Sequence, residues 1–249
     1  MTDALLLQVR NVAKKFKGAE AVGGVSFELG SGETLGLIGP NGSGKTTLVN
    51  LITGFVRPDR GEILFRGRLL NRRRPDQIAR LGVVRTFQMA RPYLGLKALE
   101  NVVVPLFSSR LKRLPGGRYG GRETVALDLL EEVGFERESL VPFKPAGALP
   151  HGYLKRLELA RCLALRPELL ILDEIFSGLS LAEVAGLMPI ITRFQAEGVA
   201  LVMIEHRLRE LFKVVDRVLV MNFGRVIAAG TPAQVMASPE VKEAYLGAE

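Results

Sequence analysis

The stretch that decides the fold is GPNGSGKTT, residues Gly39 to Thr47. It satisfies the pattern G-x-x-x-x-G-K-[ST] with Gly39, Gly44, Lys45 and Thr46, between the strand-like run ETLGLIG and a helical pattern that begins at Lys45. In such a loop the glycines let backbone N–H groups converge on phosphate oxygens. The lysine reaches the outer phosphates, and the Thr46 hydroxyl is offered to Mg²⁺. The stretch therefore predicts a strand, a phosphate-binding loop and a helix.

A second motif is the apolar run LLILDE, residues 169–174, which ends in two carboxylates. Its length and composition predict a buried strand. Ligands of open α/β sheets bind at the carboxyl ends of the strands. Beside a phosphate loop, we expect Asp173 to hold Mg²⁺, directly or through water, and Glu174 to orient and polarise the attacking water.

Two more polar residues follow strand-like runs. His206 comes after the apolar run VMIE, and we expect it to contact the γ-phosphate, although a lone histidine is usually an ordinary satisfied or exposed side chain. Gln88 follows LGVVRTF. Its amide oxygen suits Mg²⁺ or the lytic water, and its place before a helical region suits a hinge, but by itself this signal is weak.

The length and composition limit the class of protein. With 249 residues and 47% hydrophobic residues, the chain suffices for one α/β domain, or for a core with a smaller subdomain. No apolar run approaches the roughly 18 residues of a membrane span, and the start lacks the pattern of a signal peptide, so we expect a cytosolic chain. The single cysteine, Cys162, excludes an intrachain disulfide and an all-cysteine metal site.

The formal net charge of +8 favours anionic partners, which include nucleotides, nucleic acids and acidic membrane surfaces. Much of the excess lies in FRGRLLNRRRPDQIAR, residues 65–80, where no aromatic residues alternate with the arginines. This segment is expected to be a solvated basic loop, with phospholipid headgroups as the alternative partner.

The remaining patterns predict the order of the elements. Short β-like runs open the chain, and residues from about 70 to 150 show mainly helical patterns around a polar, glycine-rich loop. From Gly152 helices and apolar strands alternate, which predicts a mostly parallel sheet covered on both faces. The segment DRVLVMNFGRVIAAGTP predicts a hairpin that turns at Gly224 and leads to short terminal helices.

In their order and spacing, these motifs resemble those of an ATP-binding subunit of an ABC transporter, over essentially the whole chain. The segments LPHG, SGLSLAE, IEHRLREL and VKEAYLG are most similar to the LivG-type ATPases of branched-chain amino-acid importers. The resemblance implies a P-loop NTPase (RecA-like) α/β fold, with a mostly parallel sheet, an N-terminal antiparallel β part and a helical ABC subdomain. It implies a catalytic core at 1–88 and 152–249 and a helical subdomain at about 89–151.

The resemblance also implies ATP and Mg²⁺ as cofactors. It implies that Phe16, in KKFKG, stacks on adenine, although an aromatic residue in a strand is more often a core residue, and that Val22 packs against the base or the sugar. The segment at about 89–100 corresponds to the groove that receives a helix of the membrane subunit. The implied phosphate contacts are Gly39, Asn41, Gly42, Gly44, Lys45, Thr46 and Thr47, and the implied magnesium ligands are Thr46, Gln88 and Asp173.

Such subunits pair head to tail, and the signature segment of each closes over the ATP of the other. The usual signature is Leu-Ser-Gly-Gly-Gln, whereas this chain has Leu149, Pro150, His151, Gly152 and Tyr153. Pro150 lacks the serine's hydroxyl and N–H, while Gly152 keeps the close backbone approach. His151 either replaces a phosphate contact or faces solvent. Ser180 also stands where the family commonly has an aspartate.

The altered signature implies a partner. We expect this chain to pair with a second, different ATPase chain, or otherwise to form a homodimer. We also expect transmembrane permease subunits as partners, a location at the cytoplasmic side of the membrane, and no nucleic acid partner. An ATPase of a lipid or lipopolysaccharide exporter is one alternative function. A nucleic-acid-linked ABC ATPase is another, as is a nucleotide-binding regulator without turnover.

Overall fold

The computed structural model describes residues 5–87, 92–111 and 121–246. Its first sheet is antiparallel and begins with two long strands joined at Lys17 and Gly18, whose positive φ angles of 47° and 90° suit a tight hairpin. The order in this sheet is β2-β1-β4-β5. The strands are β1 (Leu5–Phe16), β2 (Ala19–Gly30), β4 (Arg60–Phe65) and β5 (Arg68–Leu69).

The second sheet has the order β10-β9-β3-β8-β7-β6, and all neighbours are parallel except β10 and β9. Its strands are apolar along their length because both faces are covered. In β7, Leu170 and Leu172 join one buried cluster, and Leu169 and Ile171 join the other. The strands are β3 (Thr34–Ile38), β6 (Val83–Arg85), β7 (Leu169–Asp173), β8 (Ala200–Ile204), β9 (Arg217–Asn222) and β10 (Arg225–Gly230).

Helices cover both faces of this sheet. The buried apolar residues of α3 to α6 join the first cluster, whereas those of α1 pack with the antiparallel sheet in the second. The helices are α1 (Lys45–Ile52), α2 (Pro75–Leu81), α3 (Ala98–Val103), α4 (Arg122–Glu132), α5 (His151–Leu163), α6 (Leu181–Ala196), α7 (Leu208–Leu211), α8 (Pro232–Ala237) and α9 (Pro239–Leu246). Short 3₁₀ turns lie at Val104–Phe107, Val141–Phe143 and Ala146–Ala148.

The register of the parallel strands places the candidate site. Ile204 of β8 lies opposite Leu37 of β3 on one side and opposite Asp173 of β7 on the other. Three parallel strands therefore end at one level, and the segments that leave them emerge side by side at one edge of the sheet. This edge is where ligands of open α/β sheets bind.

The α/β architecture, the strand LLILD and the hairpin at Gly224 agree with the sequence-based expectations. The strand β4 was not predicted, and the segment RLRELFKV, residues 207–214, contains only the one-turn helix α7. The helical pattern LKALENVVVPLF changes to a 3₁₀ turn at Val104–Phe107, because Pro105 cannot donate the hydrogen bond of a continuing helix.

The basic segment 65–80 is not one solvated loop. It runs through a strand hairpin, a connection and α2. Arg66 pairs with Glu168 at 2.7 Å, and both Arg74 and Arg80 pair with Asp76. Cys162 is buried. Among the described residues, no helix combines the length and the apolar character that crossing a membrane requires.

The antiparallel sheet depends on Gly61, at the start of β4. Gly61 has φ of 83°, and a Cβ there would lie 2.3 Å from the carbonyl oxygen of Asn11. Replacing Gly61 by alanine is expected to cost about 2–4 kcal/mol, since backbone strain and overpacking combine. Gly67→Ala is the matched control, because Gly67 also has a positive φ of 69° but open space around it. Urea denaturation of both variants measures the difference, and equal losses would contradict the role of the close contact.

Candidate functional site

The loop Gly39–Thr47 leads from β3 into α1 and depends on close backbone packing. A Cβ on Gly39 would lie 2.1 Å from the carbonyl oxygen of Met221, and one on Gly44 would lie 2.4 Å from that of Ala21. Both glycines also have positive φ angles, 147° and 102°. Only glycine combines this backbone with so near a neighbour.

The N-terminus of α1 fits an anionic group. Gly44 is its N-cap residue, no side chain among the described residues caps the helix, and its first turn contains no acidic residue. Free N–H groups and the positive end of the helix dipole therefore point into the loop. Thr46 is exposed and Thr47 is half-buried beside them.

Lys45 lies folded along the loop. Its Nζ donates to the carbonyl oxygens of Gly39, at 2.7 Å, and of Pro40, at 2.9 Å. Burial lowers the pKa of Lys45, while Glu174 and Asp173 oppose this shift. A cation held this way is ready to exchange carbonyl partners for phosphate oxygens.

Glu174 and His206 come together at the edge of the sheet. The distance from His206 Nε2 to Glu174 Oε1 is 3.0 Å. Glu174 has a positive φ of 51°, which is uncommon outside glycine, and its N–H donates to the carbonyl oxygen of Ile204 at 2.9 Å. The glutamate is largely buried and the histidine half-exposed, so the pair presents a carboxylate and an imidazole at one open edge.

Asp173 ends β7 in a buried position. Arg85 donates from Nη2 to Asp173 Oδ2 at 2.6 Å, and the hydroxyl of Thr86 accepts from the Asp173 N–H at 3.0 Å. Burial raises the pKa of Asp173, and the charge and hydrogen bond of Arg85 lower it. The arginine thus compensates a carboxylate that water does not reach.

A group of charged side chains lies buried behind this edge. Lys155 of α5 is fully buried, and its Nζ lies 3.5 Å from the carbonyl oxygen of Glu174. Burial lowers the pKa of Lys155, and Glu158 and Glu205 oppose the shift. Glu158 accepts from the N–H of Phe87 at 2.6 Å. These charges connect α5 to the edge of the sheet at which Asp173 and Glu174 lie.

The signature segment lies at the start of α5, with Pro150 as its N-cap residue. His151 is exposed, and its Nε2 lies 3.3 Å from the carbonyl oxygen of Ser177 in the same chain. Gly152 is buried against Glu183, where a Cβ would lie 2.5 Å from Oε1. Pro150 and His151 are therefore the members of the segment most open to a partner.

Tyr153 has a role within its own chain. Its ring packs edge-on against Phe135, with centroids 5.0 Å apart and an interplanar angle of 76°. The side chain is half-buried against the first cluster. Its ring thus helps to attach α5 to the helical region, and the residue's expected contact with the partner's ATP stays a prediction.

Phe16 and Val22 differ sharply in exposure. Phe16 lies at the end of β1, is 45% exposed and has the Nζ of Lys14 at 5.5 Å from its ring centre. Its ring is open to stacking. Val22 has no exposed surface and packs in the second cluster. The expectation that its side chain packs against the base or the sugar stays a prediction; in this structure the side chain is enclosed by its neighbours.

The donors present suit magnesium bound together with a nucleotide. Gln88 lies outside the described residues. Within those residues no three carboxylate, histidine or cysteine side chains group as a metal site. Mg²⁺ is usually held by one or two carboxylates together with substrate phosphates. A buried Asp173 and an exposed Thr46 hydroxyl at a phosphate loop match that description.

The chain matches two family models. The model described as ABC transporter covers residues 22–177, and the model described as branched-chain amino acid ATP-binding cassette transporter covers residues 225–249. The chain belongs to the ABC transporter ATP-binding family. ATP hydrolysis is general in this family, so the cassette is an ATPase whose hydrolysis drives transport.

Relatives and solved structures extend this finding. BraF of Pseudomonas aeruginosa, a high-affinity branched-chain amino acid transport ATP-binding protein, is 37% identical over 97% of this chain and 98% of its own. LivG of Escherichia coli, which has the same description, is 38% identical over 97% of this chain and 98% of LivG. The ADP conformation of an ATP-binding cassette of an ABC transporter is 30% identical, with a TM-score of 0.85 over 98% of this chain and 99% of that one. The P-loop NTPase fold and the resemblance to ABC ATPases are therefore confirmed.

Sequence reasoning missed the buried charges of the cassette. Arg85, Lys155, Glu158 and Glu205 lie in strongly apolar surroundings, where an unpaired charge is costly. Arg85 carried a usable signal, because an arginine directly after the apolar pair of β6 must find a buried partner. Glu205 carried a similar signal, because it directly follows the apolar strand β8. Lys155 and Glu158 gave no comparable signal, since a helical pattern does not show which face meets the edge of the sheet.

Glu205 predicts a pH dependence of stability. Burial, with a smaller contribution from Glu174, raises its pKa from 4.5 to about 7, although the Phe176 N–H, Lys155 and Arg207 oppose this. The folded chain thus binds more protons than the unfolded chain between these pH values, so this contribution to stability is lost as pH rises from about 4.5 to about 7.

Glu205→Gln is expected to be more stable than the wild type at pH 8, by up to about 3 kcal/mol. The glutamine keeps an oxygen to accept from Phe176. The advantage should shrink toward pH 4.5, which denaturation at several pH values measures. The exposed Glu138→Gln is the control. A stability difference that does not vary with pH would contradict the assignment.

Proposed function

We propose that this cassette is the ATP-hydrolysing motor subunit of an importer of branched-chain or related amino acids, acting with Mg²⁺ at the cytoplasmic side of the membrane. Two lines support the substrate class: the descriptions of BraF and LivG, and the match of residues 225–249 to a family model for branched-chain amino acid cassettes. The observation that carries the catalytic proposal is the 3.0 Å contact between Glu174 and His206 at the edge where the phosphate loop begins.

In the proposed reaction, Lys45 and the amides of the loop bind the phosphates of ATP. Asn41, Gly42, Gly44 and Thr47 belong to this loop. Thr46 and Asp173, with Gln88, supply oxygen ligands for Mg²⁺, which neutralises charge on the phosphates. The exposed Phe16 stacks on adenine.

Glu174 polarises the attacking water, and its place at the end of a buried strand fixes the direction of its carboxylate. His206 holds the Glu174 carboxylate from one side and contacts the γ-phosphate. The positive φ of Glu174 turns the chain sharply after Asp173, so that two adjacent carboxylates have separate tasks. Residues 1–88 and 152–249 form the proposed catalytic core, and about 89–151 the helical subdomain.

Glu174→Gln tests the role of the carboxylate. Turnover is expected to fall by about 10²–10⁴-fold, because the amide does not accept the water's proton, while ATP binding is kept and a closed dimer accumulates. Steady-state hydrolysis and size-exclusion chromatography with ATP measure both effects. The exposed Glu197→Gln is the control. Unchanged turnover would remove Glu174 from this role.

The proposed partners follow from the signature. A cassette that is 25% identical, with a TM-score of 0.79, has been solved as a dimer in a post-hydrolysis state with ADP and Pi. We propose the same kind of pairing here, with a different ATPase chain as the partner and a homodimer as the alternative. Pro150, His151, Gly152 and Tyr153 then face the partner's ATP, and permease subunits dock near residues 89–100.

The ATPase activity of the purified chain tests unequal pairing. Alone it is expected to turn over slowly, because each site would be closed by a signature without the serine hydroxyl. The double variant Pro150→Ser, His151→Gly restores the serine hydroxyl and the first glycine of the usual signature. It should raise the turnover of the chain alone, and Tyr153 keeps its contact with Phe135. Cooperative hydrolysis by the unaltered chain at full transporter rates would defeat the proposal.

A further inference from the structure

The strongest unassigned feature of the cassette is the environment of Arg85. This residue ends β6, and its side chain is only 7% exposed. Its Nη2 donates to Asp173 Oδ2 at 2.6 Å, and the Asp173 side chain is 4% exposed. An ion pair so thoroughly removed from water is sensitive to loss of either partner, because the remaining charge is left uncompensated.

The other arm of the guanidinium reaches α1, the helix that begins at the phosphate loop. Nη1 donates to Asn50 Oδ1 at 2.6 Å, and Thr53 Oγ1 lies 3.4 Å away. The Nε group donates to the carbonyl oxygen of Thr86 at 3.2 Å. One planar group therefore connects the helix of the phosphate loop to the strand that carries Asp173.

Two aromatic rings fix the plane of this group. The guanidinium carbon lies 4.9 Å from the ring centre of Phe87 and 5.7 Å from that of Phe55. The rings meet edge to face, with centroids 5.7 Å apart. Arginine suits such a place because it is planar and carries five donors, whereas lysine is a point charge on a flexible chain.

The geometry has a direct consequence for Asp173. Arg85 occupies one carboxylate oxygen, Oδ2, and the N–H of Asp173 is bonded to Thr86. The carboxylate is thereby held in one rotation and linked to the helix that begins at Lys45. Ligands of Mg²⁺ need nearly ideal octahedral placement, so small rotations of a carboxylate matter.

We propose that Arg85 is a positioning residue of the magnesium–nucleotide site, which sets the orientation of Asp173 relative to the phosphate loop. The proposal rests on the function proposed above. It assigns Arg85 no contact with the nucleotide. Its loss therefore weakens the gain in nucleotide affinity that Mg²⁺ provides, and leaves the affinity for nucleotide without Mg²⁺ nearly unchanged.

The chain contains a matched control in Arg110. This arginine is also mostly buried, pairs with Glu168 at 3.0 Å and donates to the carbonyl oxygens of Leu165 and Arg166. Glu168 directly precedes β7, so Arg110 braces the opposite end of the strand from Asp173. Its replacement should affect stability without affecting magnesium.

The experiment measures the dissociation constant of ADP by calorimetry, with Mg²⁺ and with EDTA, so that no hydrolysis is involved. The ratio of the dissociation constant in EDTA to the dissociation constant with Mg²⁺ measures how much Mg²⁺ strengthens ADP binding. In Arg85→Lys and Arg85→Gln this ratio should fall by about tenfold or more, which corresponds to about 1.4 kcal/mol. Arg110→Lys and Arg110→Gln should keep the wild-type ratio. Thermal unfolding of each variant without nucleotide shows that the measurement is made on folded protein.

The outcomes separate the proposals. If the Arg85 variants keep the wild-type ratio, or lose no more of it than the Arg110 variants, Arg85 is only a structural ion pair and the inference is overturned. Arg85→Lys keeps the charge, so it supplies the result if Arg85→Gln does not fold. A wild-type chain whose ADP affinity is the same with Mg²⁺ and with EDTA would instead overturn the magnesium site itself.

Discussion

The parallel pairing of β3, β8 and β7 is the constraint on which the site depends. Because Ile204 lies opposite both Leu37 and Asp173, the phosphate loop, the Asp173–Glu174 pair and the segment with His206 leave the sheet at one level. A shift of one residue would turn each apolar side chain of a strand to the other face. Both faces are fully packed, so the register that builds the core also brings the functional groups together.

This convergence creates an electrostatic problem that the structure solves with buried cations. Asp173, Glu174 and Glu205 meet in a small volume, where burial and the charge of Glu174 raise the pKa of Asp173 and of Glu205. Arg85 and Lys155 approach from β6 and α5 and offset part of this cost. The two cations therefore belong to the same physical system as the carboxylates, although neither is part of a recognisable motif.

The sequence could predict those parts of the structure that depend on local pattern. The phosphate loop could be predicted from its glycines and Lys45, and the strand LLILD from its apolar run. The sheet edge that carries the site, and the order of its residues along the chain, could therefore be predicted as well. The exposure of Phe16 and the burial of Val22 were not, because adjacent hairpins decide which side chain faces outward. The same holds for Arg85, whose partners are 35 and 88 residues distant along the chain.

This chain departs from the usual family sequence at Ser180, in SGLS, and in the signature segment LPHGY, and these two segments contact each other. Ser180 is the N-cap residue of α6 and exchanges hydrogen bonds with Glu183, which accepts from the Ser180 N–H at 2.8 Å. Glu183 also lies against Gly152, while His151 contacts the carbonyl oxygen of Ser177. The signature and the segment after Glu174 thus pack on each other within one chain. A change at His151 bears on the segment that follows the chain's own proposed catalytic carboxylate, as well as on the half-site that we propose it offers to a partner.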